Sequence, residues 1–223
     1  MRPCYSCGQP SPPGASVCPH CQVLLEVAGY RIEGVLGQGG YGAVYTALAW
    51  PTAAARGAVT AGQAVALKQH FDPAGVTQQR REFAVLNGLG HANLPHYYET
   101  FEAGDHGYLV MELVPGQNLE AVLGRHPGGL GESQVLSYAL QLCDVLSYLH
   151  AQQPPILHRD IKPANIRLTP EGLIKLVDFG LLKQGLGQTG SALRGLGTPE
   201  YAPLEQYGRG GSTDPRSDLY SLG

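Results

Sequence analysis

Charge is scarce in this chain. Only 15% of its 223 residues are Asp, Glu, Lys or Arg, where a typical domain has about a quarter. That excludes a disordered acidic or basic tail, which needs a high charge density. Fifteen Lys and Arg against eighteen Asp and Glu leave a net charge of −3, so there is no basic footprint for nucleic acid. No stretch approaches the roughly 18 uninterrupted apolar residues of a membrane span. The start, Met1-Arg2-Pro3-Cys4, has no apolar run and does not read as a secretory signal. The expectation is a soluble, cytoplasmic chain. Glycine, by contrast, is abundant: 31 residues, with 17 prolines and no Gly-X-Y period, which excludes collagen. The length allows one medium domain with a small appendage.

Cysteines number five, and four fall within the first 21 residues as Cys4-x2-Cys7 and Cys18-x2-Cys21. Two residues between cysteines let both sulfurs reach one tetrahedral ion from a tight turn, and two such turns complete a four-sulfur shell. Gly8 follows the first pair, where a backbone turning under a metal calls for positive φ. The intervening Gln9-Pro10-Ser11-Pro12-Pro13-Gly14 is too short and proline-rich to make a core, so the segment needs a staple. Two disulfides would also staple it, but a cytosolic setting disfavours them. The reading is structural Zn²⁺ on Cys4, Cys7, Cys18 and Cys21, with His20 a bystander. Residues 1–26 resemble a short zinc ribbon, and its closed shell leaves no open position for catalysis.

From Gly29 the texture changes to alternating apolar residues. Leu36-Gly37-Gln38-Gly39-Gly40-Tyr41-Gly42-Ala43-Val44 contains G-x-G-x-x-G at Gly37, Gly39 and Gly42, a weak signal alone because dinucleotide sites share it. Those sites continue into a helix, whereas Ala43 to Leu48 continues as strand; nor is there a Gly-Lys-Ser/Thr of a Walker loop. Strand, glycine turn and strand make a hairpin whose bare backbone can lie over phosphates. Ala64 to Lys68 is an apolar strand ending in a lysine, and Trp50 to Gly62 reads as an extended hairpin loop. Thr77 to Leu89 has helical spacing, with Phe83, Leu86 and Leu89 on its apolar side. Glu82 is the sole carboxylate in that stretch and, paired with Lys68, would hold the ammonium in position.

Further on comes His158-Arg159-Asp160-Ile161-Lys162-Pro163-Ala164-Asn165, and after the strand Leu173 to Val177 stands Asp178-Phe179-Gly180. Aspartate, lysine, asparagine and a second aspartate form a phosphoryl-transfer kit. With these motifs in order, residues from about Tyr30 to the end resemble a eukaryotic-type protein kinase of the Ser/Thr class. The resemblance implies an α+β, two-lobed fold over residues 29–223: a small lobe of antiparallel strands with one helix, a mainly helical large lobe, and ATP in the cleft between them. It implies that Gly37, Gly39 and Gly42 cover the ATP phosphates, with Val44 and Ala66 framing the adenine. Lys68 would grip the α/β-phosphates with Glu82 as partner. Asp160 would orient the acceptor hydroxyl, Lys162 would neutralise the γ-phosphate, and Asn165 and Asp178 would hold Mg²⁺. Met111 would stand behind the adenine, with core filling as its plainer reading, while the Glu112 and Val114 backbones bond its edge. Protein Ser or Thr is the implied acceptor, from Lys162. Arg159 implies switching by phosphorylation, with Thr189 and Ser191 as acceptors, and Thr198 is similar to the threonine that bonds near Asp160.

Ser133 to His150 reads as an amphipathic helix, with Cys143 packed in it rather than reactive. His91, His96 and His126 show no ligand spacing. Three departures from the family stand out. Leu204 replaces a proline before Glu205. Arg167 occupies the usual apolar floor of the adenine site, its stem expected to pack with the head in water. The chain ends at Gly223, just inside what resembles the central large-lobe helix, where Asp218 would tie down the catalytic loop. The expectation is therefore an incomplete large lobe, with Glu205 lacking its usual arginine and Leu136, Leu140 and Leu146 lacking cover. The competing class is a non-catalytic scaffold in which ribbon and kinase-like fold only recruit partners.

Overall fold

The computed structural model of the protein describes residues 1–39, 42–71, 73–179, 183–184, 187–188, 198–207 and 212–223. Thr189, Ser191 and Gly180 lie outside them. The chain divides into two compact units, Met1–Gly88 with His96–Leu113, and Leu89–Pro95 with Val114–Gly223.

The first unit begins with the cysteine-rich head. Strands β1 (Arg2–Pro3) and β2 (Pro10–Ser11) pair antiparallel. Each Cys-x2-Cys turn closes on a backbone bond, from Gly8 to Cys4 at 2.9 Å and from Gln22 to Cys18 at 3.0 Å. Gly8 is left-handed as expected, at φ 72°, and Gln22 takes the same conformation at φ 61° without being glycine. The chain then runs into β3 (Glu26–Val27), which pairs antiparallel with β4 (Tyr30–Gly39). Strands β5 (Gly42–Ala49), β6 (Ala64–His70), β7 (Tyr97–Ala103) and β8 (His106–Glu112) complete a six-stranded antiparallel sheet in the order β3-β4-β5-β6-β8-β7.

Register divides this sheet into two faces, since directly paired residues point the same way and neighbours alternate. Val44 pairs with Lys68, Lys68 with Leu109, and Ala66 with Met111. One face therefore presents Val44, Ala66, Lys68 and Met111. The other presents Ala43, Tyr45, Val65, Leu67, Tyr108 and Val110, which are buried in one core with Tyr30 and Ile32. An antiparallel sheet commonly leaves one face to water. Here Tyr5 and Leu24 of the head pack against that core, and Arg2 Nη2 donates to the Leu25 carbonyl at 2.7 Å. A cavity of about 550 Å³, lined by Tyr5, Val17, Val35, Tyr45, Gln69 and His106 among others, lies on this covered face.

The segment expected as a plain loop after Trp50 contains a helical turn, α1 (Pro51–Ala54), started by Pro51 at the first helical position. It carries Ala53 and Val59 into the same core. Arg56 anchors the insertion, bonding Glu99 at 2.7 Å while its guanidinium lies 5.5 Å from the Tyr30 ring. The helix α2 (Pro73–Leu86) starts earlier and ends earlier than periodicity predicts. Its Gln79 donates to Thr100 on β7 at 2.6 Å.

The second unit combines helices with short strands. Strand β9 (Gln117–Asn118) leads into α3 (Leu119–Gly124), capped by the Asn118 side chain accepting from the Ala121 N–H. Then comes α4 (Glu132–His150), matching the expected amphipathic helix, whose Leu142, Val145, Leu146 and Leu149 are buried. After β10 (Ile156–Leu157), strands β11 (Ile166–Leu168) and β12 (Ile174–Leu176) form a hairpin extended by β9. Short pairs join β10 to β13 (Lys183–Gln184) and β14 (Gly187–Gln188) to β15 (Ser212–Thr213), with α5 (Leu204–Tyr207) between the latter two. Asp214 caps the final helix, α6 (Pro215–Leu222).

Two sequence expectations need correction here. Leu136 and Leu140 are exposed, but Leu146 is fully buried, because it lies on the same stripe as Leu142 and Leu149. Cys143 is exposed rather than packed, since it sits one position past that stripe.

Candidate active site

The first unit brings together the glycine hairpin and the lysine. Gly39 pairs with Gly42 at the hairpin end. A Cβ at Gly37 or Gly39 would meet nothing within 4 Å, so the loop backbone is open to an approaching ligand. Gly42 is required for another reason: its Cβ would stand 2.1 Å from the Gln69 carbonyl on the next strand. On the same sheet face, Lys68 Nζ lies 3.5 Å from Glu82 Oε2, with the glutamate side chain 1% exposed. A buried carboxylate is tolerable only when paired, and α2 delivers the pair to β6. Met111 sits on β8 beside Ala66 and Tyr97. The Glu112 N–H donates to the His96 carbonyl at 2.7 Å, and the Glu112 carboxylate accepts from the His96 N–H at 3.0 Å.

The second unit assembles the loop around Asp160. Lys162 Nζ lies 2.9 Å from Asp160 Oδ2 and donates to Thr198 Oγ1 at 2.7 Å. Asn165 Nδ2 donates to both the Asp160 carbonyl and Oδ2 at 2.8 Å. That turns its nitrogen toward Asp160 and makes the Oδ1 oxygen the atom a hard cation would use. Thr198 Oγ1 approaches Asp160 Oδ1 at 3.4 Å. Asp178 stands two residues past β12 with φ 64°, and Arg159 has φ 66°. Neither is glycine, and a left-handed residue costs about 1–2 kcal/mol, so surrounding contacts must hold both.

Those contacts are visible for Arg159. Asp218, fully buried on α6, accepts from the His158 N–H at 3.0 Å and the Arg159 N–H at 2.7 Å. His150 at the end of α4 adds a third bond to Asp218 at 2.8 Å. Burial pushes the His158 pKa down, outweighing the attraction of Asp218. The neutral ring accepts from the Asp160 N–H at 3.2 Å through Nδ1. Its Nε2 then carries the proton toward the Val177 carbonyl at 3.2 Å, a tautomer assigned from these two partners. Phe179 packs edge-on against the same ring at 4.4 Å.

Arg167 is half-buried, and its guanidinium meets a backbone carbonyl at a contact open to water. Its Nη2 donates to the Gly116 carbonyl at 2.5 Å, and burial pushes its pKa down. Glu205 accepts from Ser217 Oγ at 2.7 Å. His91 pairs with Asp144 at 3.2 Å, and His126 bonds the Val122 carbonyl, so both serve structure. Sequence reasoning missed His150 and Gln206, whose partners lie 47 or more residues away and leave no local signal.

In the head, all four sulfurs lie within 4.8 Å of one another, with Cys4 to Cys21 at 3.7 Å and Cys7 to Cys18 at 3.8 Å. A tetrahedron with metal–sulfur bonds of about 2.3 Å has edges of about 3.8 Å, so the cluster has the right size for one Zn²⁺. Disulfides at about 2.05 Å do not fit these separations. Desolvation opposes ionisation of Cys18, but the backbone N–H groups of Cys21 and His20 and the Ser11 hydroxyl bring its pKa down to about 6.

Residues 30–223 match the protein kinase domain family, and the chain belongs to it. Serine/threonine-protein kinase F of Synechocystis sp. is 33% identical over 231 residues, covering 92% of this chain and 44% of that protein. Serine/threonine-protein kinase Pkn1 of Myxococcus xanthus is 32% identical over 231 residues, covering 94% and 31%. Cytokinesis protein sepH of Aspergillus terreus is 33% identical over 201 residues, covering 90% and 14%. The chain thus spans less than half the length of each of these relatives. Among the described residues, no helix is long and apolar enough to cross a membrane.

Proposed function

We propose that this chain is a Mg²⁺-dependent protein serine/threonine kinase that moves the γ-phosphoryl of ATP to a protein hydroxyl. The observation that carries the reading is the group formed by Asp160, Lys162, Asn165 and Thr198, joined by bonds of 2.7–2.9 Å between lysine, asparagine and their partners. Phosphoryl transfer needs little covalent help from the protein; it needs positioning and neutralisation of charge. Asp160 would receive and orient the acceptor hydroxyl. Lys162, bridging Asp160 and Thr198, holds a positive charge beside that carboxylate for the anionic group in transit. Lys68, steadied by Glu82, would bind the α/β-phosphates under the open backbone of Gly37 and Gly39, with Gly42 closing the hairpin. Val44, Ala66 and Met111 would frame the adenine, and the Glu112 and Val114 backbones would bond its edge. Asn165 and Asp178 would hold Mg²⁺, which supplies charge neutralisation to the phosphate oxygens when bound.

Residues 1–26 are assigned as a structural zinc ribbon on Cys4, Cys7, Cys18 and Cys21, and residues 29–223 as kinase domain. Zn²⁺ there would cross-link the two cysteine turns and take no part in transfer. The scaffold alternative is not favoured, because the Lys68–Glu82 pair and the Asp160 group are both assembled. The test is transfer of labelled γ-phosphate from Mg-ATP to a generic Ser/Thr-containing protein, with Asp160→Asn beside it. Transfer is expected to fall by at least about a thousandfold in the variant; equal transfer by both chains would refute the assignment.

A further inference from the structure

We infer that Gln206 is a positioning residue for this reaction: its side-chain amide clamps the peptide that immediately precedes Asp160 and so sets the direction of the catalytic carboxylate. The inference rests on the kinase reading and adds a residue to which that reading gives no role.

The need for a clamp comes from Arg159. It is a non-glycine residue at φ 66°, and it is buried, 3% exposed. Asp218 fixes the N–H groups of His158 and Arg159, which settles the backbone up to the Arg159 nitrogen. The next peptide, made of the Arg159 carbonyl and the Asp160 N–H, decides where the Asp160 side chain leaves the backbone. The bonds from Asp218 to the loop go to the two N–H groups before it. Its N–H end is held by the His158 ring at 3.2 Å. Its carbonyl end is held by Gln206, whose Nε2 donates to the Arg159 oxygen at 3.0 Å.

Gln206 is itself fixed. It is 4% exposed and sits on α5, where its neighbour Glu205 is tied to Ser217 on α6 at 2.7 Å. The same helix supplies Asp218, so one frame grips successive peptides of the loop from two sides. An amide suits the position because a carbonyl needs a donor, which a carboxylate or an apolar side chain does not provide. A buried carbonyl left without a donor drives its peptide to rotate toward another partner. That rotation swings the Asp160 carboxylate away from Lys162 and Asn165.

The test uses Gln206→Met, similar in length with no donor, and Gln206→Glu, the same shape with acceptors only. Both are assayed in the full chain below their own melting temperatures. Expected is a fall in kcat of about tenfold to a hundredfold, the scale of a small misplacement at a reacting centre. The KM for ATP should stay within about twofold, since the nucleotide grip belongs to other residues. Unchanged kcat in both folded variants, or a loss that only follows lowered melting temperature, would overturn the inference. A second readout needs no turnover: hydrogen exchange at the Asp160 amide. In Gln206→Met it should quicken by about tenfold or more, while the Leu176 amide, bonded to the Asn93 carbonyl, keeps its rate. An Asp160 amide exchanging at the wild-type rate in that variant also overturns the clamp. A wild-type chain silent in transfer, with its Asp160 amide slowed by Gln206, counts against the kinase reading and supports the clamp.

Discussion

Stripping metal from the cysteine cluster should loosen the sheet that bears the glycine hairpin. The head has a core of only three buried residues, Cys4, Cys18 and Leu25, too small to hold it folded without a cross-link. Once it opens, Tyr5 and Leu24 leave the outer face of the sheet, and β3 leaves the edge of β4. Burying a large apolar side chain fully is worth about 1.5–3 kcal/mol. Both residues are partly buried, so their loss removes roughly 2–4 kcal/mol. For a unit of this size that lowers the melting temperature by about 10 °C or more. The assay loads the protein with Zn²⁺, counts metal per chain, and then adds a zinc-selective chelator that spares Mg²⁺. Melting and hydrogen exchange are followed, with attention to amides 30–32 and 43–47. The expected result is one zinc per chain, and faster exchange in both strands after its removal. Failure to bind one zinc would refute the metal site. Release of zinc with unchanged melting and exchange would refute the idea that the head supports the sheet.

Two other outcomes are expected. Gly42→Ala pushes a methyl to 2.1 Å from the Gln69 carbonyl, so β5 and β6 must part locally. The cost should be about 1–3 kcal/mol, read by urea unfolding, and an unchanged midpoint would contradict the register. The second concerns pH. His158 is buried neutral with its pKa lowered by desolvation, whereas in the unfolded chain it titrates near about 6.5. Below that pH the unfolded state binds the extra proton, so stability falls as pH drops, by about 1.4 kcal/mol per pH unit until the folded-state pKa is reached. Above it this histidine contributes no slope. Urea unfolding between about pH 5 and 7.5 should show a shallower pH dependence in His158→Asn than in wild type; equal slopes would contradict the neutral, buried ring.

Much of the site was legible in the sequence because its chemistry is written in contiguous stretches. Asp160, Lys162 and Asn165 lie within six residues, so their bonds in the structure follow from one short loop. The glycine hairpin and the strand that carries Lys68 announce themselves by alternation and by turn residues, although β6 runs on to His70. Even the two cysteine turns are local, each closed by a single backbone bond. Pairing Glu82 with Lys68 was a step further, suggested by the sole carboxylate of its helix and supported by resemblance, and the structure sets them 3.5 Å apart.

What the sequence did not disclose depends on contacts between distant segments. Nothing local says that Leu146 is covered while Leu140 is not, or that Cys143 faces water; both follow from which stripe of α4 finds a neighbour. The Arg167 head turns to the Gly116 carbonyl because β9 runs beside β11, a pairing no periodicity reveals. The head docks on the outer face of the sheet because that face is apolar and otherwise wet, which drives Tyr5 and Leu24 onto it. The left-handed turn before Asp160 is held by Asp218 and Gln206, both far along the chain. Which groups are present, and in what local order, is written in the chain. Which way they point depends on the folded contacts, because direction is set by buried polar atoms that must each find a partner wherever the fold offers one.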